Sequence, residues 1–296
     1  MADRATLEHG TAAPSRAGDI VDVAGLWFWY EGGPPVLRGL DLRVPAGQLL
    51  ALVGANGSGK TTLVKHLNGL LRARRGMVRV AGLDAARHPV GEMARQVGFL
   101  FQHPEQQIFA ATVEQEVAFG PRNLGLPAGE VRERVAAALA RFELEPAAAR
   151  PPAILGYGLR RKVTLASLAA MDPPVLVLDE PTVGLDAHGR REMLAWVAEL
   201  HGLGRTIVLV THDMGLVARC AERVVVLHAG EILGDGPPGA VFRDEALLAR
   251  ASLAPPPVVA LARALQSNGF RGAGLTVEAF CDEYAALAGE NREPAF

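Results

Sequence analysis

Leu49-Leu50-Ala51-Leu52-Val53 runs directly into Gly54-Ala55-Asn56-Gly57-Ser58-Gly59-Lys60-Thr61-Thr62, and this passage decides the fold. The apolar run reads as a buried strand and the segment from Thr61 to Leu71 as a helix, so the glycine-rich turn between them fits the phosphate-loop pattern G-x-x-x-x-G-K-[ST]. Glycines let successive backbone N–H groups converge on β- and γ-phosphates, a lysine adds a mobile positive charge, and the Thr61 hydroxyl suits Mg²⁺. Only two other lysines, Lys65 and Lys162, occur among 30 Lys and Arg, yet position 60 is lysine. The passage therefore predicts nucleoside triphosphate binding, with ATP-binding candidates at Gly54, Asn56, Gly57, Ser58, Gly59, Lys60, Thr61 and Thr62.

Short apolar runs alternate outward from this point with helix-length segments, the pattern of an α/β fold with a parallel sheet. Val36–Val44, Val97–Phe101, Val175–Leu178 and Thr206–Val210 read as strands, the last two central because they are apolar throughout. From Glu105 to Ala170 helical periodicity takes over, with a capping box at Thr112 and Gln115 and an Ala-rich helix over Val131–Phe142. Residues 19–250 thus form one domain with a helical subdomain at about 105–170. Residues 1–18 read as a disordered lead-in, and 251–296 as a small helical extension beyond the stiff hinge Pro255-Pro256-Pro257. Helices are expected there at Val258–Leu265 and Val277–Leu287.

A net charge of −2 carries no polycationic signature, so no nucleic-acid partner is expected. No apolar run reaches the roughly 20 residues needed to span a bilayer, and the lead-in lacks the apolar block of a signal peptide. A cytosolic location follows as an expectation. Cys220 and Cys281 have no metal-ligand spacing and read as buried thiols.

A phosphate loop alone admits kinases, GTPases, helicases and transport ATPases. Downstream residues choose among them. Asp179-Glu180 closes the strand at 175–178 and leads into Pro181-Thr182-Val183-Gly184-Leu185-Asp186. An acid at a strand end near the phosphates can hold Mg²⁺, and a second acid beside it can orient an attacking water. Asp179 takes the first role and Glu180 the second. Thr211-His212-Asp213 ends the next strand at the same sheet edge, where His212 can reach a γ-phosphate. Gln102, after Val97-Gly98-Phe99-Leu100-Phe101, is similarly placed. A kinase or GTPase switch leaves the paired acids and His212 unexplained.

In this order, with Tyr30 upstream, the residues resemble the ATP-binding cassette ATPase family from about Val21 to Gly236. The resemblance implies a RecA-like P-loop NTPase core with an antiparallel β portion near the N-terminus, a helical subdomain, and head-to-tail dimers that enclose ATP between subunits. It makes Tyr30 the adenine-stacking aromatic and Gln102 a Mg²⁺ and γ-phosphate contact beside Thr61 and Asp179. Asp186 becomes a dimer-loop residue. Trp27 and Trp29 are left to core or strand packing. A narrower resemblance lies in His103-Pro104-Glu105-Gln106-Gln107-Ile108-Phe109, continuing to Thr112-Val113-Glu114 and Ala118–Gly125. It is similar to the ATPase subunit of energy-coupling factor transporters, importers of vitamins and of cobalt or nickel. That likeness implies a peripheral subunit on the cytoplasmic face of the cell membrane, docked through Pro104, Glu105 and Gln107 to a transmembrane coupling subunit, with a substrate-binding membrane subunit in the same complex. Another transporter type, or a soluble cassette protein of DNA repair or ribosomes, is the alternative; the latter carry paired cassettes, zinc or coiled-coil insertions that this chain lacks.

One motif departs from the family pattern. The signature, Leu-Ser-Gly-Gly-Gln in the family, reads Leu155-Gly156-Tyr157-Gly158-Leu159 here, with a helix expected to open at Leu159. The missing serine hydroxyl would have donated to the partner subunit's γ-phosphate, so a heterodimer with a second ATPase carrying an intact signature is favoured over a homodimer.

Overall fold

The computed structural model describes residues 18–102, 107–268, 270, 272 and 274–290. Two sheets face each other across one helix. The first is antiparallel, ordered β2-β1-β4-β5, from β1 (Asp19–Trp29), β2 (Pro35–Pro45), β4 (Arg75–Val80) and β5 (Leu83–Asp84). The second has the order β10-β9-β3-β8-β7-β6 and contains β3 (Leu49–Val53), β6 (Val97–Leu100), β7 (Val175–Asp179), β8 (Thr206–Val210), β9 (Arg223–His228) and β10 (Glu231–Gly236). All its pairings are parallel except β9 with β10. Every residue of β3, β7 and β8 is buried, as expected of strands covered on both faces.

Alternation of side chains across the pleat divides the core into clusters. Leu50 and Leu52 point toward the antiparallel sheet and meet Leu26, Leu37 and Leu40 across Leu63 and Leu67 of α1 (Lys60–Leu67). On the opposite face Leu49, Leu176, Leu178 and Leu209 meet the helices α3 (Val113–Asn123), α4 (Ala128–Arg141), α5 (Tyr157–Met171) and α6 (Ala187–Gly202). Thr112 caps α3, its hydroxyl accepting from the Gln115 N–H at 3.2 Å. Ala51 and Val53 belong to a third cluster with Val217 of α7 (Met214–Cys220), Phe242 of α8 (Pro238–Arg243) and Leu248 of α9 (Glu245–Arg250).

Several expectations are corrected in detail. α1 stops at Leu67 rather than Leu71, because Gly69 turns the chain at φ +76°, where a Cβ would press on Met93 of α2 (Val90–Met93). The proline run opens a helix: Pro256 caps α10 (Pro257–Ala264), whose missing first N–H costs nothing at that position. Val258 and Val259 are buried with Phe242, so the extension packs onto the domain. Trp27 is half-exposed on its strand. Cys281, on α11 (Val277–Glu290), is exposed, whereas burial raises the Cys220 thiol to about 11. The lead-in at 1–17 lies outside the described residues.

Candidate active site

The carboxyl ends of the parallel strands converge on one cleft of about 720 Å³. β3 delivers the phosphate loop, β7 delivers Asp179 and Glu180, β8 delivers Thr211 and His212, and Gln102 follows β6 by two residues. Lys60, Thr61, Gln102, Asp179, Glu180 and His212 line the cleft together, the edge where ligands of open α/β sheets sit.

Glycine is required at two points of the loop. A Cβ on Gly54 would stand 2.2 Å from the Leu227 carbonyl oxygen, so the loop lies directly against β9. Gly59, at φ +107°, is the N-cap of α1, and its Cβ would strike Leu37 at 2.9 Å. The Lys60 ammonium donates to the Gly54 and Ala55 carbonyls at 2.7 and 2.9 Å. Burial pushes its pKa below the ordinary lysine value, against the pull of Glu180 and Asp179. The Ser58 hydroxyl is buried with no hydrogen-bond partner among the described residues, a donor left for a ligand.

The Thr61 hydroxyl donates to Asp179 Oδ2 at 3.1 Å. Burial raises the Asp179 carboxyl above its ordinary range; Thr61 and Lys60 pull it down, and Glu180 adds to the rise. A hydroxyl and a carboxylate beside a phosphate cradle are a hard-oxygen donor set that fits Mg²⁺, which takes few protein ligands and completes its shell with phosphates and water. No group of three or more His, Cys, Asp or Glu forms a self-sufficient metal cluster among the described residues.

Glu180 is held from three sides. Its Oε2 accepts from the Thr211 hydroxyl at 3.0 Å, and its Oε1 accepts from the His212 N–H at 3.1 Å and from His212 Nδ1–H at 2.6 Å. The backbone sits at φ +49°, a left-handed conformation costing a non-glycine residue on the order of 1 kcal/mol, kept only where the surroundings over-determine it. Thr211 and Arg161 were not picked out as separate sites by sequence reading. Thr211 lies inside the quoted Thr-His-Asp run. Arg161 has 0 % exposure, and nothing in the tract Arg160-Arg161-Lys162 marks the middle cation as the buried one.

Other candidates fall around the cleft. The Tyr30 hydroxyl lies 3.2 Å from Thr62 Oγ1, with its ring edge-on to Phe28 and half-exposed. Asp186 caps α6, accepting from the Gly189 N–H at 2.8 Å. Gln107 is committed inward: its amide donates to the Phe99 carbonyl and accepts from the Phe101 N–H, which also stops β6 short of Phe101. Pro104, Glu105 and the neighbouring His103 and Gln106 lie outside the described residues.

The signature segment does not line this cleft. α5 opens at Tyr157, not Leu159, with Gly156 as N-cap and no side-chain cap, so the N–H groups of Tyr157, Gly158 and Leu159 form its first turn. Leu155 is buried and Leu159 half-exposed. Tyr157, Gly158 and Leu159 instead border a separate cavity of about 380 Å³ between α5 and α6.

The chain is similar to known proteins over most of its length. The family model described as ABC transporter matches residues 37–183. The energy-coupling factor transporter ATP-binding protein EcfA of Methanothermobacter thermautotrophicus is 39 % identical over 273 residues, covering 91 % of this chain and 88 % of that protein. The structure of cbiO1 from Clostridium perfringens, part of the ABC transporter complex cbiONQ, is 34 % identical with a TM-score of 0.69, over 78 % of this chain and 94 % of that one. A dimer of the ATP-binding cassette MJ0796, in a post-hydrolysis state with ADP and Pi, is 25 % identical with a TM-score of 0.64, over 73 % of this chain and 98 % of that one. With the phosphate loop, paired acids and histidine gathered at one sheet edge, the chain belongs to the ATP-binding cassette family of transporter ATPases.

Proposed function

We propose that this protein is the ATPase subunit of an energy-coupling factor importer, hydrolysing ATP to drive conformational change in membrane partners. The observation that carries the hydrolytic reading is Glu180: a carboxylate aimed by Thr211 and His212 into the same cleft as Lys60 and the Thr61–Asp179 pair. The phosphate-loop N–H groups and Lys60 bind the phosphates, and Tyr30 stacks on adenine. Thr61, Asp179 and Gln102 are the residues that would hold Mg²⁺, which supplies charge neutralisation on the phosphates. Glu180 accepts a hydrogen bond from the attacking water and takes its proton as the water oxygen bonds to the γ-phosphorus and the bond to the bridging oxygen breaks, releasing ADP and phosphate. His212 keeps that carboxylate oriented and reaches the γ-phosphate, and Gln102 senses the same group.

The signature lies away from this chain's own cleft, so a second ATPase subunit must close it, as the head-to-tail dimers implied by the resemblance would. The altered Gly156, Tyr157 and Leu159 favour a heterodimer whose other member supplies an intact signature. No helix among the described residues is long and apolar enough to cross a membrane, which suits a peripheral subunit on the cytoplasmic face. Its docking surface is the apolar hollow beside the Gln102 loop, where Phe109 and Phe119 pack edge to face at 4.5 Å while 64 % and 45 % exposed. Pro104 and Glu105, a few positions before Phe109 in the sequence, would contact the same partner. The cargo, a vitamin or a cobalt or nickel ion, is selected by the membrane subunit.

Detergent pull-down tests this reading. Tagged protein is expected to recover integral membrane subunits, and Phe109→Asp to lose them while ATP still binds. Recovery of soluble nucleic-acid-bound complexes, or of no membrane protein from solubilised membranes, would overturn it.

A further inference from the structure

Tyr157 and Arg161 are four residues apart on α5, so they share one face of its first two turns. Both reach the same short segment. Arg161 Nη2 donates to the Glu180 backbone carbonyl at 2.9 Å, and Nη1 donates to the Gln102 carbonyl at 3.4 Å. The Tyr157 hydroxyl donates to the Val183 carbonyl at 3.3 Å, and its ring covers Gly184 so closely that a Cβ there would meet Cε1 at 2.7 Å. The signature helix thus grips the chain at both ends of 180–184.

Beside the contact, a cavity of about 380 Å³ opens between α5 and the start of α6, with Tyr157, Arg161 and Leu165 on one wall and Gly184 and Leu185 on the other. Leu185 packs on the cluster that holds Leu165, and Lys162 ties α5 to Glu192 of α6; what Tyr157 and Arg161 add is a polar grip on the backbone of 180–184 itself. Arg161 is fully buried, and a guanidinium withdrawn from water persists only where carbonyls satisfy it. Its main acceptor is the carbonyl of the residue held at φ +49°, so the arginine fixes from the backbone side the same glutamate that Thr211 and His212 fix from the carboxylate side. Tyr157, where the family pattern has glycine, turns back onto its own chain.

We propose that Tyr157 and Arg161 form a clamp of two positioning residues that makes the signature helix and Glu180 move as one body, so that displacement of the helix by a partner subunit is transmitted to the water-positioning carboxylate of this subunit's own cleft. The inference rests on Glu180 holding the attacking water. A separate control covers that premise: Glu180→Gln should be inactive, and a fully active Glu180→Gln would remove the premise itself.

The test is ATP turnover by the assembled transporter carrying Arg161→Lys, Tyr157→Phe or both, with nucleotide affinity from a fluorescent ATP analogue and melting temperature alongside. Losing a hydrogen bond from a charged donor corresponds to about a tenfold to hundredfold change. Arg161→Lys is therefore expected to lower kcat at least about tenfold with KM and analogue affinity little changed. Tyr157→Phe, on the accessible side of the clamp, should lower kcat by a smaller factor, and the double variant should fall short of the product of the two. Tyr157→Gly, although it restores the family residue, should lose activity. Parental kcat in folded Arg161→Lys and Tyr157→Phe, losses of kcat that merely track lost affinity or melting temperature, or a gain in Tyr157→Gly, would each overturn the clamp, while an inactive Glu180→Gln would still be explained by the loss of its own carboxylate.

Discussion

His212 Nδ1 donates to Glu180 Oε1 across 2.6 Å, and the two side chains differ sharply in setting: 69 % of the His212 side chain is exposed but only 11 % of the Glu180 side chain. A polar contact with one member in solvent adds little stability. What the contact does is aim a buried carboxylate, while the rest of the imidazole stays open to the cleft.

Removing that carboxylate should therefore separate binding from chemistry. Glu180→Gln keeps the shape but cannot accept the water's proton, and its expected phenotype is ATP affinity near parental with turnover abolished. Lys60→Ala should weaken binding itself. Thr211→Val, which removes the donor to Oε2, should lower kcat by about tenfold or more and leave KM nearly unchanged. Steady-state hydrolysis with an independent binding assay checks all three, and unchanged hydrolysis in Glu180→Gln would defeat the assignment of the base.

His66 gives a pH dependence of stability. It is buried on α1, its Nδ1–H donating to the Thr62 carbonyl at 2.7 Å and its ring edge-on to Phe28, while Nε2 is buried without a partner among the described residues. Burial pulls its pKa below 6.5, against the Thr62 bond. The neutral form is thus favoured on folding. As pH falls through 6.5 the unfolded chain takes up the proton first, so this contribution to stability is present above that value and lost below it, down to the lower folded pKa. Denaturant midpoints measured from pH 7.5 to 5.5 should fall less steeply in His66→Phe than in the parent; equal slopes would show that other groups set the acid response.

The signature can be tested without disturbing Tyr157. In the chain alone, Gly156→Ser with Leu159→Gln returns the hydroxyl and amide of the family motif to the first turn of α5. A heterodimer-adapted subunit should hydrolyse slowly alone and gain about tenfold or more with the pair restored, since a hydrogen bond to a charged phosphate is worth roughly 1.5–3 kcal/mol. Strong turnover by the unmodified chain with no gain on restoration would mark a competent homodimer.

Much of the cleft was legible because it hangs on strand ends. Val53, Asp179 and Val210 close fully buried strands, and a buried apolar run announces where the loop beyond it must begin. The acids and His212 could be set on one sheet edge from that logic alone. What could not be read was pairing that depends on the turn after each strand. Arg161 and Lys162 are adjacent cations, yet one is sealed against Glu180 and the other spans Glu143 and Glu192 near the surface. Only the position of α5 over β7 separates them. Gln107 is a similar case: the resemblance implied a docking role, and nothing in the sequence announced that its amide bonds the Phe99 carbonyl and the Phe101 N–H at the end of an edge strand.

α10 also changes what counts as the domain. Val258 and Val259 share a cluster with Val53, the residue that ends the strand feeding the phosphate loop. A chain cut before Pro256 would leave Phe242 and Val217 without that cover, and the strand under the nucleotide would lose part of its support. The tail is accordingly continuous with the core under the phosphate loop: Ser252 and Leu253 line the cleft, and the chain just beyond them, at Val258 and Val259, covers the strand that carries the loop.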